Sequence, residues 1–550
     1  MTNWHHFSGI FGELDSLKTA TQTLYINGNI YIDSKIKVSN LLIEGDIVKD
    51  YNVKQDDFRD AKIIDLNGKT IFPGFMDTHA HLLETGFVLN VGVNLRGISN
   101  STQEIAQKLK EKVANSNQNE TILAVGFWMD DYNKWSLEDL AIIDTVTPNN
   151  SVMAVDMSGH NLFLNSVGMK LCNITDDTFH DNMGGISVRE NGKLTGMFRE
   201  KSMQKPADEI FSKFGHEELA KEGARKIIDF WASKGYTGMV DLMGAPGFRL
   251  HKPDIFYALE QEDKLNMRIN FCYTLFDVNG VDEAAKFAGK DTDLVRFYGG
   301  KIFVDGAFAS GEPWTTWEHT NGGFGSKLIN IDDSEGEQYN INRIVLRAEE
   351  LGLNMHYHTQ GDMAIQAVLN ALEYTKNKLG DIKKTHTLAH VAFPTQTQMQ
   401  QIASYNCKVT VTVQPAFCQI EDDLTQYYAG HTQEAYPIKQ MFDAGIIVGM
   451  STDFSVSPVD MTTPSTIMAI AMKGANKPDV YLPLSAEEVV RGFSENNAIV
   501  SATLDTGSLH KGKKADFVIY DKNFYDLDIN EIKENSPKVI ETWVGGKRRF

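Results

Sequence analysis

The feature that most constrains this chain is a rhythm. Between residues 70 and 450, eight short apolar runs alternate with longer stretches of helical period. The runs cover 70–76, 237–242, 268–274, 300–304, 353–358, 387–391, 409–413 and 446–450. Continuous apolar runs this short suit strands buried on both faces, and the periodic segments at 217–233, 282–289, 341–351, 363–379, 395–404 and 433–442 suit helices that cover them. Eight strands with alternating helices predict an α/β fold, a (β/α)8 TIM-type barrel over residues 71–504. The stretch 82–208 is too long for a loop between strand and helix, so it is read as an insertion after the first barrel strand that covers the barrel mouth. Short β-type runs separated by turn pairs such as Asn27-Gly28 fill residues 1–70, and similar runs fill 505–550. Together they predict a small β-sandwich built from both ends.

Composition narrows the partners. Asp and Glu total 73 against 53 Lys and Arg, and a formal charge of −20 repels phosphate backbones and anionic lipid. Neither nucleic acid nor a membrane is therefore expected as a partner; a small molecule is, and a homo-oligomer stays open. With 42% hydrophobic and 23% charged residues the chain suits a globular protein and not a disordered one. It contains no apolar run of about 18 residues and no basic-then-apolar leader, and its four cysteines are too scattered for a disulfide framework. A cytoplasmic setting is expected, with His5 and His6 as part of a loose leader and not a site.

The densest chemical signal is Phe72-Pro73-Gly74-Phe75-Met76-Asp77-Thr78-His79-Ala80-His81. Alternate side chains of a strand share a face, so His79 and His81 can address one metal ion at the strand's end. Later strands end in further ligand types. Lys301 lies among apolar and small residues; burial would lower its pKa and favour a neutral amine able to form a carbamate, whereas a lysine reaching solvent is the plainer outcome. His356 and His358 share a face, with His358 nearer the mouth; His390 is the mouth-facing residue of its strand and His386 the structural one. Asp453 directly follows the last strand, as a ligand or as the cap of a helix. Barrels gather active sites at this end, so the set matters more than any member.

These residues resemble the amidohydrolase superfamily of metal-dependent hydrolases. Ser158-Gly159-His160, Thr195 to Glu200, Lys301 with Asp305-Gly306, His358 with Gly361-Asp362, and Gln414-Pro415 are similar to its amidohydrolase type 3 branch, which includes N-substituted formamide deformylase. The branch commonly has Arg and Glu where this chain has Thr387 and Ala389. The resemblance implies that His79, His81 and Asp453 hold one divalent ion, His358 and His390 a second, and a carboxylated Lys301 bridges them, with Glu200 as the alternative ligand. Such donors suit zinc first, and also manganese, iron or nickel; one or two ions per chain are expected, with carbon dioxide supplying the carbamate if there are two.

The chemistry such a set allows is hydrolysis of a non-peptide C–N bond in a small amide or formamide, with metal-activated hydroxide as nucleophile and Asp453 as general base and then acid. His160, Asp305, Gln414 and Trp314 are the expected substrate contacts. Phe127, Trp128, Trp317 and Phe417 join Trp314 as aromatics that either receive an apolar substituent or pack the insertion to the barrel. Two alternatives compete: a mononuclear deaminase held by His79, His81, His358 and Asp453 with Lys301 unmodified, and a catalytically inactive binding protein.

Overall fold

The computed structural model describes residues 22–550 apart from 99–100, 182–183, 214–216, 245–251, 335, 420–425, 455, 476, 478 and 528–535, so His5 and His6 lie outside the described residues. The barrel strands are Phe75–Ala80, Tyr236–Met243, Arg268–Thr274, Val295–Phe303, Asn354–Thr359, His386–His390, Val409–Val413 and Val448–Met450. They pair in chain order, all parallel. Just beyond the eighth strand, the backbone meets the first again: Ala80 bridges to Phe454, Asp453 N–H donates to the His79 carbonyl at 2.8 Å, and His81 N–H donates to the Phe454 carbonyl at 2.6 Å. These bonds nearly close the cylinder at the mouth, between two segments that both carry candidate ligands.

The surrounding helices form for the reason the period suggested. In Asp362–Leu379, Ala364, Ile365, Val368, Leu369 and Leu372 recur at helical spacing and are buried, and Gly380 ends the helix in the left-handed region at φ 87°.

The predicted first strand, 70–76, is in fact two. Thr70–Pro73 lies in the terminal sheet between Gln22–Tyr31 and Phe517–Tyr520, and only Phe75–Ala80 enters the barrel. Gly74 makes the break because a Cβ there would collide with the Thr237 side chain on the second barrel strand. An apolar run alone does not reveal such a change of sheet, since both halves are buried.

The terminal sheet joins both ends of the chain, in the order Lys547–Arg548, Val539–Val544, Phe517–Tyr520, Thr70–Pro73, Gln22–Tyr31, Lys37–Glu44 and Ile47–Tyr51, with Lys62–Asp65 also against Gln22–Tyr31. Tyr25, Ile30, Leu41, Phe517 and Ile519 form its core. Arg268 ties it to the barrel, donating from Nε and Nη2 to the two Asp516 oxygens at 2.6 and 2.9 Å. Both groups are buried, so each needs the other.

After the helix Leu82–Val91 the insertion builds its own sheet, ordered Ile186–Glu190, Lys193–Arg199, Asn161–Leu164, Val152–Asp156, Ile122–Phe127 and Val93–Asn94. Leu95, Ile105, Phe127, Trp135 and Phe163 form a separate core there. Arg199 brings this sheet onto the barrel, with Nη2 donating to Glu312 at 3.0 Å and Nε donating to Asn161 at 2.9 Å. No helix among the described residues is long and apolar enough to cross a membrane.

Candidate metal centre

Four imidazoles and a carboxylate converge at the mouth. His79 Nε2 and His81 Nε2 lie 3.5 and 3.4 Å from Asp453 Oδ1, as expected for residues two apart on one strand face. From His79 the rings continue to His390, with centroids 4.6 Å apart, and from His390 to His358 at 4.5 Å. Ligand atoms of His79, His390 and Asp453 lie within 4.8 Å of one another. Thus His390 sits with the first-strand histidine as closely as with His358. Backbone geometry aims these side chains: His390 and Asp453 hold φ of 72° and 51°, in the left-handed region. Each such residue costs about 1–3 kcal/mol, a strain that collects at functional sites.

The centre is buried, and burial sets its protonation. It holds His79 and His358 well below the usual imidazole range, and, offset in part by Asp453, brings His390 down to about 4. Burial would raise Asp453, but His81, His390 and Lys301 around it lower it on balance. The His79, His358 and His390 rings are therefore neutral and the aspartate ionised near pH 7, the forms a cation binds. Hydrogen bonds fix which nitrogen is left free. His81 Nδ1–H donates to the Leu242 carbonyl at 3.2 Å, His390 Nδ1–H to Gln414 Oε1 at 2.8 Å, and His358 Nε2–H to the Gly306 carbonyl at 3.3 Å. Each ring keeps one lone pair for the cluster.

Three atoms there are orphaned. Lys301 Nζ, His390 Nε2 and Asp453 Oδ1 are buried without a hydrogen-bond partner among the described residues, an arrangement that costs free energy unless something else satisfies them. The Lys301 ammonium has only the Phe303 ring, 4.8 Å away, and burial brings its pKa down to about 7. Lone pairs, a carboxylate and a neutral amine gathered without partners fit a divalent cation.

The remaining expected residues divide into those that reach the cluster and those that brace it. His160, from the insertion, places its ring 5.0 Å from His358, and its Nδ1 lies 2.8 Å from Glu200 Oε2. Burial alone would depress His160, but Glu200 outweighs it and raises the pKa. Glu200 thus faces His160, its other oxygen accepting from Ala307 N–H at 3.4 Å. Gln414 lies behind His390, not in the mouth, with its Nε2 donating to Ser451 Oγ at 2.9 Å, so both ends of its amide are taken. Asp305 is likewise wholly buried and accepts backbone N–H groups of Trp314, Gln360 and Gly361 at 2.8–3.1 Å, holding the loops around the fifth strand. One brace carries the same strand-face signal as a candidate ligand: His356, on the face it shares with His358, puts Nε2 3.2 Å from His79 Nδ1. Asp77 was not singled out; its carboxylate accepts from His79 N–H at 3.1 Å and from Thr452 Oγ1 at 2.5 Å, stitching the first strand to the segment after the eighth.

Comparison with known proteins agrees with this geometry. The amidohydrolase family model matches residues 62–550. The chain belongs to the amidohydrolase family. The N-substituted formamide deformylase of Arthrobacter pascens is 24% identical over 89% of this chain and 90% of its own. The putative amidohydrolase YtcJ of Bacillus subtilis is 24% identical over 84% and 86%. Among solved structures, an uncharacterized metal-dependent hydrolase from Pyrococcus horikoshii superposes with a TM-score of 0.71 at 20% identity, covering 93% of this chain and 99% of that one, which shows the shared fold. This amidohydrolase is accordingly a hydrolase built on a barrel of eight parallel strands.

The aromatics of this amidohydrolase separate by role. Phe127 is buried in the insertion core beside Phe163, and Trp317 stacks on His431 at 3.8 Å and packs against Phe393. Trp314 packs against the main core and is not in the wall of the cavity at the mouth. That cavity, about 280 Å³, is instead walled by Trp128 and Phe417, and by Ser158, two residues before His160.

Proposed function

We propose that this protein hydrolyses a non-peptide C–N bond of an amide or formamide, using divalent metal held by His79, His81, His358, His390 and Asp453 with Lys301 as the bridge. The observation that carries this reading is the gathering of His79 and His81 Nε2 about Asp453 Oδ1, with the His390 and His358 rings next in line and the unpartnered Lys301 amine buried among them. The likeness to a formamide deformylase supports the choice of bond. Neutral imidazoles, a carboxylate and a carbamate suit zinc, and also manganese, iron or nickel. The carbamate forms when the neutral Lys301 amine bonds to the carbon of carbon dioxide and releases one proton. Glu200 is less suited to the bridge because it is engaged with His160 and Ala307.

When bound, the metal supplies Lewis acidity and lowers the pKa of a water from about 15.7 to about 7. Asp453 takes a proton at Oδ1 as the water oxygen bonds to the carbonyl carbon. It then passes that proton to the nitrogen as the C–N bond breaks, leaving a carboxylic acid and an amine. Glu200 holds the His160 ring at Nδ1, so that its opposite edge can meet the substrate. The tight triad of His79, His390 and Asp453 could serve a single ion, with His390 in place of the His81 and His358 of the mononuclear deaminase, which stays the second reading. A cytoplasmic, reducing setting is consistent with four free cysteines.

Metal content and activity test the reading together. Dialysis against a chelator should abolish hydrolysis of simple formamides, and returning zinc should restore it with up to two ions per chain, located by anomalous scattering. Hydrolysis by metal-free protein would reject the proposal, and restoration at one ion per chain would favour the second reading. The support of His79 gives a separate expectation: His356→Leu removes the partner of its Nδ1 and should weaken metal binding about 10–100-fold, while His356→Gln, which keeps an acceptor, should lose less. Competition with a chromophoric chelator measures both, and equal affinities in all three proteins would remove His356 from the site.

A further inference from the structure

The cavity at the mouth adjoins the candidate centre along two of its walls. Phe417 lies nearly parallel to the His390 ring, at 14° and 6.2 Å between centroids. Val456 and Ser457 follow Asp453 and donate their backbone N–H groups to its carbonyl at 2.6 and 3.2 Å. A carbonyl that reaches the cluster would therefore direct one of its substituents between these walls. The facing wall comes from the insertion, through the half-buried Trp128 and Met157, and Met461 completes the surface.

The lining states what it would accept. Among its described residues none is ionisable: aromatic faces, thioethers and aliphatic groups predominate. A charged substituent would lose its hydration there without a counter-charge, which is strongly unfavourable. Indole, phenyl and thioether groups instead suit a flat or branched apolar body, and methionine adapts to its outline. The volume is close to the lower end of ligand sites, roughly 300–1,000 Å³, so the body is a single ring or a short branched chain and not a polymer. Its polar side chains are Ser158, Gln419 and Ser457. Ser158 Oγ is taken by Asp156, whereas Ser457 Oγ is buried without a hydrogen-bond partner among the described residues, and it can accept from an amide N–H.

We propose that this cavity is the substituent site, and that the substrate is a neutral amide carrying an uncharged apolar ring or short branched chain, which in a formamide sits on the nitrogen. This rests on the C–N hydrolase reading and adds the side of the substrate that confers specificity. Trp128 and Met461 are then specificity-determining residues, and Ser457 orients the amide.

A ladder of N-substituted formamides tests it on the full-length, metal-reconstituted enzyme. From N-methyl to N-cyclohexylformamide, kcat/KM should rise about 10–200-fold, and N-carboxymethylformamide should fall below both. Trp128→Ala should compress the cyclohexyl-to-methyl ratio about tenfold, and Met461→Arg should shift preference toward the carboxymethyl compound. Calorimetry on the Asp453→Asn variant gives the second readout, with N-cyclohexylformamide binding more tightly than N-carboxymethylformamide. Ordered binding without hydrolysis of any member would sink the C–N reading and leave the substituent site standing. Hydrolysis with a flat ladder, a preference for the carboxymethyl compound in the unaltered enzyme, or no binding of N-cyclohexylformamide would overturn the site.

Discussion

Asp453→Asn is expected to lower kcat by about 10²–10⁴-fold, the contribution of a positioned general acid and base, while the barrel and its metal stay in place. The substitution keeps the shape of the side chain and one oxygen for a cation, but removes the charge and the proton acceptor. Nothing in the closure of the barrel depends on the carboxylate: Asp453 holds the first strand through its backbone N–H on the His79 carbonyl, and holds Val456 through its own carbonyl. Circular dichroism and metal content should therefore match the parent protein as turnover falls. A variant that turns over formamides at a near-normal rate would remove Asp453 from the chemistry. A variant that loses both metal and turnover would make it a ligand first.

Lys301→Ala should have the second large effect, and on a different readout. The Lys301 side chain extends into a buried space among His79, His356, His358 and His390, whose charged forms its own charge disfavours. Burial leaves much of the amine neutral near pH 7, and neutral amine is the species that combines with carbon dioxide. Loading of two ions should accordingly be assisted by bicarbonate and decline as pH falls below about 7, where the amine takes up a proton. In Lys301→Ala the metal content should drop to one ion per chain or fewer, with activity falling in parallel, and short carboxylic acids should restore part of both by supplying the missing carboxylate. Two ions retained in the unassisted variant would exclude Lys301 as the bridge.

These expectations rest on side chains that differ in how legible they were. His79 and His81 could be read because a strand repeats every two residues, and a pair at that spacing must share a face wherever the strand goes. His358, His390 and Asp453 could be read because each closes or follows a buried run, and a barrel brings all such ends to one mouth, whereas Lys301 could be read as the charged residue inside such a run. Gln414 and Asp305 carry the same kind of signal, a polar residue at a strand end, yet both are turned to bracing: one fixes the tautomer of His390, the other gathers three backbone N–H groups. Residue type and position do not distinguish a group that meets substrate from one that holds a ligand. The aromatics show the same limit, since Trp128 and Trp314 are alike in sequence and only Trp128 reaches the cavity.

What the sequence determined by itself is periodic: eight buried strands, the helices over them, the insertion, and the ligand types at strand ends, because spacing along the backbone dictates which side chains share a face. The tertiary structure alone decided where Gly74 hands the chain from one sheet to another, which ring nitrogens are left free, and which walls enclose the cavity. Those outcomes depend on close approaches between segments far apart in the chain, such as Thr237 against Gly74 and Phe417 against His390, and no local pattern encodes an approach of that kind.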